Sequence, residues 1–220
     1  MSLAKENLEG FLSTENSRTR AARKGKLFDT TPGDVQQEKR DYEQIVLLLE
    51  QAGGRDILPG EESLLRAARL GNLDLTLRFI AEGENLDAKD PKNGYTALVW
   101  AILKRNDEIA EVLLQNGADA NIAGHRGETA LLIAARDKAP IETYTLLLSH
   151  GADPNCVDES GSSALMLAAP HAPIEGVQLL LDAGADPNLK AGESGYTAAN
   201  FAVMAMRLDV LELLMAAGAE

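Results

Sequence analysis

The chain has 220 residues, 45% of them hydrophobic, which is enough to bury the core of one domain or of one continuous array. Its 21 basic and 34 acidic residues give a net charge of -13, which opposes a phosphate backbone and favours basic protein partners. The single cysteine excludes an internal disulfide framework, and no apolar run is long enough for a signal peptide or a membrane span. The composition predicts a soluble cytoplasmic protein without membrane contact, the nucleus being the alternative.

Residues 1–27 are predicted to form a polar and basic N-terminal segment. The stretch RTRAARKGK at 18–26 has five positive side chains and no acid, in a chain that is otherwise acidic. A solvated helix face is the simpler interpretation, and a nuclear-targeting or nucleic-acid-binding arm is the alternative.

Residues 28–59 are predicted to form a degenerate helix pair that caps the segments following it. Thr31 and Pro32 stand where a first helix would begin, and IVLLL at 45–49 has the composition of a second helix. Gly33 weakens the first of these helices by about 1 kcal/mol relative to a good helix former.

Residues 60–220 contain an internal repeat. The string LLQNGADAN at 113–121 returns as LLSHGADPN at 147–155 and LLDAGADPN at 180–188, and its glycines recur at intervals of 33 or 34 residues. A second string, TALLIAA at 129–135, keeps the same period. A fixed period of this length predicts that one supersecondary unit is stacked several times.

Each unit begins with a predicted short helix. In the third copy, Thr129 stands where a hydroxyl would cap the helix, and an apolar stripe follows at helical spacing, formed by Ala130, Leu131, Ala134 and Ala135.

A second helix follows Pro140, with Ile141, Thr145 and Leu148 predicted on one face. Gly151 stands where a left-handed C-terminal cap needs glycine. The segment ADPNCVDESG then favours turns and predicts an extended finger between units. One unit cannot bury its apolar stripe alone, so neighbouring units must stack.

These strings resemble the ankyrin repeat family, whose usual unit carries TPLHxAA, then an IVxLLL-type helix, then GADVN. Five copies cover 60–220, at about 60–93, 94–126, 127–160, 161–194 and 195–220. The resemblance implies an all-α fold, an α-solenoid of ankyrin-type helix-turn-helix repeats with β-hairpin-like finger loops. Four copies have alanine for the family proline and lack the family histidine: Ala97, Ala130, Ala164 and Ala198, then Val99, Leu132, Met166 and Asn200.

No residues are grouped for catalysis, and no cofactor or metal is expected. His125 falls in a finger, His150 at the end of a second helix and His171 in an inter-helix loop, so they are not predicted to converge. Cys156 has no activating neighbour in its repeat and is predicted to be a structural thiol. Phosphate-binding and zinc-protease motifs are absent from the sequence. The chain is therefore predicted not to be an enzyme.

The resemblance implies that finger tips and the exposed side of the first helices form one concave groove that binds a protein or peptide. Two groups of side chains are predicted to make contact there, at the tips and behind them. They are Lys92, Asn93, Tyr95, Trp100, Lys104, His125, Arg126, Glu128, Arg136, Asp137, Glu159, Ser160, Ser162, His171, Glu193, Ser194, Tyr196 and Met204, with Arg69 at the equivalent position of the first repeat.

Aromatic side chains are the natural anchors of such a groove, and Tyr95, Trp100 and Tyr196 are the candidates. Partial burial between repeats is the alternative for Trp100. Basic side chains at the finger tips and first-helix ends are concentrated in the middle repeats, whereas the tips of the later repeats contain Glu159 and Glu193. The groove is therefore predicted to be mixed in charge.

The predicted function is a non-catalytic protein-interaction scaffold. A regulatory or inhibitory segment of a larger enzyme or complex is the alternative, and nucleic-acid binding is disfavoured by the net charge. The chain is predicted to be a monomer or to self-associate weakly through the methionine-rich C-terminal repeat.

Overall fold

The computed structural model describes residues 63–220, so the predicted segments 1–27 and 28–59 lie outside the described residues. The described part contains five consecutive helix pairs, called repeats 1 to 5. The first helices are α1 Leu64–Leu70, α3 Ala97–Lys104, α5 Ala130–Arg136, α7 Ala164–Ala168 and α9 Ala198–Met204. The second helices are α2 Leu73–Ala81, α4 Asp107–Gln115, α6 Ile141–Ser149, α8 Ile174–Asp182 and α10 Leu208–Ala216.

A hydroxyl residue begins most of the first helices. The side chains of Thr96, Thr129 and Ser163 each accept a hydrogen bond from the amide three residues later, at 3.3 to 3.4 Å. Such caps satisfy amide groups that have no partner inside the helix. The predicted cap at Thr129 is confirmed.

The helices are arranged in two layers. Each first helix contacts the first helices of the repeats on either side, and α2–α4, α6–α8 and α8–α10 are contacts within the second layer. The stripe predicted in α5 is confirmed, since Ala130, Leu131, Ala134 and Ala135 are all buried. Leu132 and Ile133, the other apolar residues of α5, are buried as well, because the helix is covered by neighbours on two sides.

The face of α6 that contains Ile141, Thr145 and Leu148 is not its buried face. Thr145 is exposed and its hydroxyl donates to the carbonyl of Ile141, whereas Tyr144 and Leu147 are fully buried. The Tyr144 hydroxyl donates to the carbonyl of Ala134 at 3.5 Å, which ties the second helix to the first in the same repeat. Burial raises the pKa of Tyr144 to about 12.

Consecutive fingers lie against one another. The amide of His125 donates to the carbonyl of Asn93 at 2.7 Å, and the amide of Glu159 donates to the carbonyl of Arg126 at 3.1 Å. Within residues 63–220 the β pairing consists of isolated antiparallel bridges, such as the one between Val157 and Ser163. Single backbone hydrogen bonds thus join the finger of repeat 3 to those of repeats 2 and 4.

An asparagine at the end of each GADxN string joins its repeat to the next. The amide of Asn155 donates to the carbonyl of Gly184 at 3.0 Å, and its carbonyl oxygen accepts from the amide of Asp186 at 2.8 Å. Asn121 and Asn188 make the same two contacts one repeat earlier and one repeat later. This ladder supplies hydrogen bonds between repeats that lack the family histidine.

The inter-helix loops add a second set of links between repeats. The Asn106 amide donates to the carbonyl of Ala68 at 2.7 Å, and the Arg207 guanidinium donates to the carbonyl of Ala172 at 3.0 Å. Gly151 has φ 80°, so the predicted left-handed turn after the second helix is confirmed.

Replacing Asn155 by Ala is expected to lower the free energy of unfolding by about 1 to 3 kcal/mol, because two inter-repeat hydrogen bonds are lost. The control is Asn116→Ala, since the Asn116 amide donates only to Val112 in its own helix. Urea unfolding followed by circular dichroism measures both variants. Equal losses would show that the ladder adds no more stability than a bond within one helix.

Replacing Gly161 by Ala is expected to cost more stability than replacing Gly195, which occupies the equivalent place in the last described finger. Both have positive φ, 74° and 65°, so each variant loses about 1 kcal/mol from backbone strain. At Gly161 an added Cβ would also lie 2.5 Å from the amide nitrogen of Gly192, whereas at Gly195 it meets no atom within 4 Å. Overpacking at Gly161 should cost about 1 to 3 kcal/mol more, and similar melting curves would contradict it.

Candidate functional site

Six of the side chains singled out in the sequence come together across repeats 1 to 3. Tyr95, Trp100 and Lys104 belong to the finger and first helix of repeat 2, and they meet Arg69 from repeat 1. The finger of repeat 2 also meets two charged groups of repeat 3, those of Glu128 and Arg136. These six side chains are called the Trp100 cluster.

Trp100 is half-buried at the centre of the cluster, which agrees with the alternative of partial burial between repeats, while its contact with a partner stays a prediction. The Tyr95 ring packs edge-on against it, with ring centroids 5.6 Å apart and an angle of 76° between the planes. The Arg69 guanidinium lies 5.6 Å from the Trp100 ring centroid and the Lys104 ammonium 6.0 Å. Both cations are within the range at which an indole ring attracts a positive charge.

A carboxylate holds the other side of the cluster in place. The Tyr95 hydroxyl and the Arg136 guanidinium both donate to Glu128, and Arg136 also donates to Asp137 at 3.0 Å. Glu128 is 5% exposed. Burial acts to raise the pKa of Glu128, but the hydrogen bonds from Tyr95 and Arg136 outweigh it and hold that pKa below its ordinary value.

The prediction that Glu128 contacts a partner does not agree with this burial. Its carboxylate is covered by protein and bonded to Tyr95 and Arg136. Glu128 therefore positions other residues of the surface. Burial and the adjacent Glu128 raise the pKa of the Tyr95 hydroxyl, which stays protonated and able to donate.

The remaining predicted side chains at the finger tips are either exposed or hydrogen-bonded within their own finger. Lys92, His125 and Arg126 are exposed, while Asn93 uses its side-chain oxygen to accept from the amide of Tyr95. The other tip residues are exposed except Ser162, which is half-buried: Glu159, Ser160, Glu193 and Ser194. Within residues 63–220 no hydrogen bond joins these later tips to the Trp100 cluster.

A second aromatic pair lies in repeat 5. Tyr196 packs edge-on against Phe201, with centroids 6.1 Å apart, and Tyr196 is 45% exposed. Phe201 was not among the predicted side chains, although its spacing from Tyr196 equals that of Trp100 from Tyr95. Met204 is exposed in the same repeat, as are Met206, Val203, Leu208 and Met215, and weak self-association there stays a prediction.

The histidines occupy the places predicted from the repeat register. His125 lies in a finger, His150 bonds the carbonyl of Leu146 at the end of α6, and His171 lies in an inter-helix loop. The ring of His171 contacts the carbonyl of Ala135 at 3.0 Å, so one nitrogen is used between repeats. Burial, followed by the charge of Asp153, raises the pKa of Cys156, which disfavours the reactive thiolate.

No group of three or more His, Cys, Asp or Glu residues in the range 63–220 could hold a metal ion. No helix of the same range is both long and apolar enough to cross a membrane.

Residues 63–220 have the features of a helical repeat protein: stacked helix pairs, fingers joined along one edge, and a surface formed by several repeats together. The family model for ankyrin repeats, built from three copies, matches residues 36–124 and 131–220. The chain belongs to the ankyrin repeat family. Ankyrin repeats are generally protein–protein interaction modules and typically have no catalytic role.

Several larger proteins contain similar segments. The chain is 30% identical over 76 residues to ankyrin repeat domain-containing protein 40 of Mus musculus, covering 34% of this chain and 21% of that protein. It is 40% identical over 62 residues to the mitochondrial disaggregase of Homo sapiens, covering 28% and 9%. It is 28% identical over 84 residues to the human 2-5A-dependent ribonuclease, covering 38% and 11%. The chain thus matches about a fifth or less of these relatives' lengths.

Glu128→Gln is expected to lower the free energy of unfolding by about 1 to 2 kcal/mol at neutral pH, since it removes a charged hydrogen-bond acceptor. The pKa of Glu128 is lowered by folding from its ordinary value of 4.5. Its stabilisation is therefore complete above that value and is lost as pH falls through the folded pKa. The difference between wild type and variant should shrink below about pH 4.5.

Urea unfolding at a series of pH values measures this difference, with Glu193→Gln as the control at an exposed finger tip. The control should match wild type throughout. A difference for Glu128→Gln that stays constant into the acid range would contradict the assigned role of its charge.

Proposed function

We propose that this chain is a non-catalytic scaffold that holds a partner protein on the surface formed by its first helices and finger tips. The main support for this proposal is the Trp100 cluster, in which aromatic and cationic side chains of three repeats are assembled and partly exposed. Aromatic and arginine residues contribute most of the binding energy at protein interfaces. A rigid support such as buried Glu128 reduces the conformational entropy lost on binding.

The two aromatic pairs suggest how much of the array a partner covers. Tyr95 with Trp100 lies in repeat 2, and Tyr196 with Phe201 lies in repeat 5. We propose that a partner spans the repeats between them, along a surface that includes the exposed fingers. Such a contact would pass Arg126 on the way.

We propose as a second possibility that the array regulates a larger enzyme or complex. Its support is that two relatives named as a disaggregase and a ribonuclease have matching segments covering about a tenth of their lengths. The scaffold proposal does not depend on this second possibility, because the same surface would bind the partner whether or not the array belongs to a larger enzyme or complex.

Replacing Arg126, Tyr196 and Met204 together by Ala is expected to weaken capture of a partner without unfolding the array, because all three side chains are exposed. The control carries Glu142→Ala, Glu175→Ala and Glu212→Ala on the exposed sides of second helices. Proteins captured from lysate are identified by mass spectrometry, and their dissociation constants are then measured with purified components.

A partner should bind wild type and the second-helix control equally and bind the triple variant of Arg126, Tyr196 and Met204 at least about tenfold more weakly, a difference of about 1.4 kcal/mol. Circular dichroism checks that both variants are folded. A partner that loses affinity only for the second-helix variant would place the interaction on the opposite layer and refute the proposal. A regulated enzyme among the partners would support the second proposal.

A further inference from the structure

The two helix layers carry opposite charge. The first helices α1, α3 and α5 contain Arg66, Arg69, Lys104 and Arg136 and no acidic residue. The second helices α4, α6, α8 and α10 contain eight acidic residues and no lysine or arginine. In a chain of net charge -13, the first helices of repeats 1 to 3 therefore carry a local excess of positive charge.

Cations at the ends of these helices have a structural explanation, because a positive charge stabilises the carboxyl end of a helix dipole. That explanation does not account for their arrangement. Arg69 and Lys104 come from different repeats and both lie over the same ring, that of Trp100. Both positive charges are thereby held within 6.0 Å of the centroid of one ring.

Neither cation forms an ion pair within residues 63–220. By contrast, Arg136 is paired with Glu128 and Asp137, and Arg207 is paired with Asp209. Within the described part, the cations that hold the structure together are thus paired with carboxylates. Arg69 and Lys104 are exposed and have no carboxylate partner there.

We infer that the Trp100 cluster binds an extended acidic segment of a partner protein, with a carboxylate of that segment at Arg69 and Lys104. This inference rests on the proposed function and names the chemistry of the partner. The Trp100 ring offers an apolar surface for the carbon chain of a glutamate, and the two cations offer charged hydrogen-bond donors for its head.

The repeat spacing indicates how acidic residues would be distributed in such a segment. Neighbouring packed helices lie about 8 to 10 Å apart. An extended segment in the polyproline II conformation advances about 3.1 Å per residue with three residues per turn, so side chains three residues apart lie on one side and cover about the same distance. A second carboxylate three residues along would reach the next repeat, where Arg126 is exposed on the finger and Lys138 follows α5. Acidic residues at every third position therefore match the surface.

The test uses three synthetic twelve-residue peptides that share a Gly, Ser and Leu background and carry Glu, Gln or Lys at every third position. Trp100 is the only tryptophan of the chain, so its fluorescence reports on the site directly, and calorimetry with the full chain gives an independent affinity. The Glu peptide should change the emission saturably and bind about tenfold more tightly than the Gln peptide. Its affinity should fall as salt is added, and the Lys peptide should not bind.

The double variant R69Q/K104Q should bind the Glu peptide about tenfold more weakly, as judged by calorimetry. Lys190→Gln is the matched control, since Lys190 is an exposed cation in the finger that follows repeat 4, and it should bind like wild type. Circular dichroism verifies the fold of each variant. Equal affinity for the Glu and Gln peptides, or an unchanged affinity of the double variant, would overturn the inference.

Nucleic acid is the competing polyanion, so a twenty-residue oligothymidylate is measured beside the peptides. Binding as tight as that of the Glu peptide would overturn the assignment to an acidic protein segment. If the partner captured above requires Arg126 and Tyr196 but the Glu peptide does not bind, this inference alone fails. If the captured partner is indifferent to the first-helix surface, the proposed function fails as well.

Discussion

Close packing of alanine in the first helices is the contact on which the rest of the array depends. One equivalent position in each repeat is occupied by an alanine that is no more than 1% exposed: Ala67, Ala101, Ala134, Ala168 and Ala202. A larger side chain there would push neighbouring first helices apart, since protein interiors are packed too densely to accommodate it. The same closeness allows Arg69 of one repeat to share the Trp100 ring with Lys104 of the next.

Local and periodic features of the fold could be predicted from the sequence. The cap at Thr129 and the left-handed turn at Gly151 depend on residues a few positions away, and the two-layer stack follows from the repeat. The buried face of α6 could not be predicted in this way, because the helix contains three leucines in succession. Which of them faces inward is decided by tertiary packing, where Tyr144 and Leu147 meet the first helix.

The candidate site was predictable as a surface but not as an arrangement. The repeat register places finger tips and first-helix ends side by side, which led to Tyr95, Trp100 and Lys104. It does not show that Glu128 is buried, because that burial depends on Tyr95 from the preceding finger and on Arg136 from the far end of α5. Nor does it show that two cations from different repeats lie over one ring, a property that arises only from the approach of those repeats.

The asparagine ladder makes this protein tolerant of changes in its own length. Asn121 bonds Gly151 and Asp153, and Asn155 bonds the corresponding groups one repeat later. If a gene rearrangement removed or duplicated one whole repeat, each asparagine would still face a glycine carbonyl and an acidic residue's amide in the same geometry. Such an array can gain or lose binding surface in steps of 33 or 34 residues during evolution, without new interfaces having to arise.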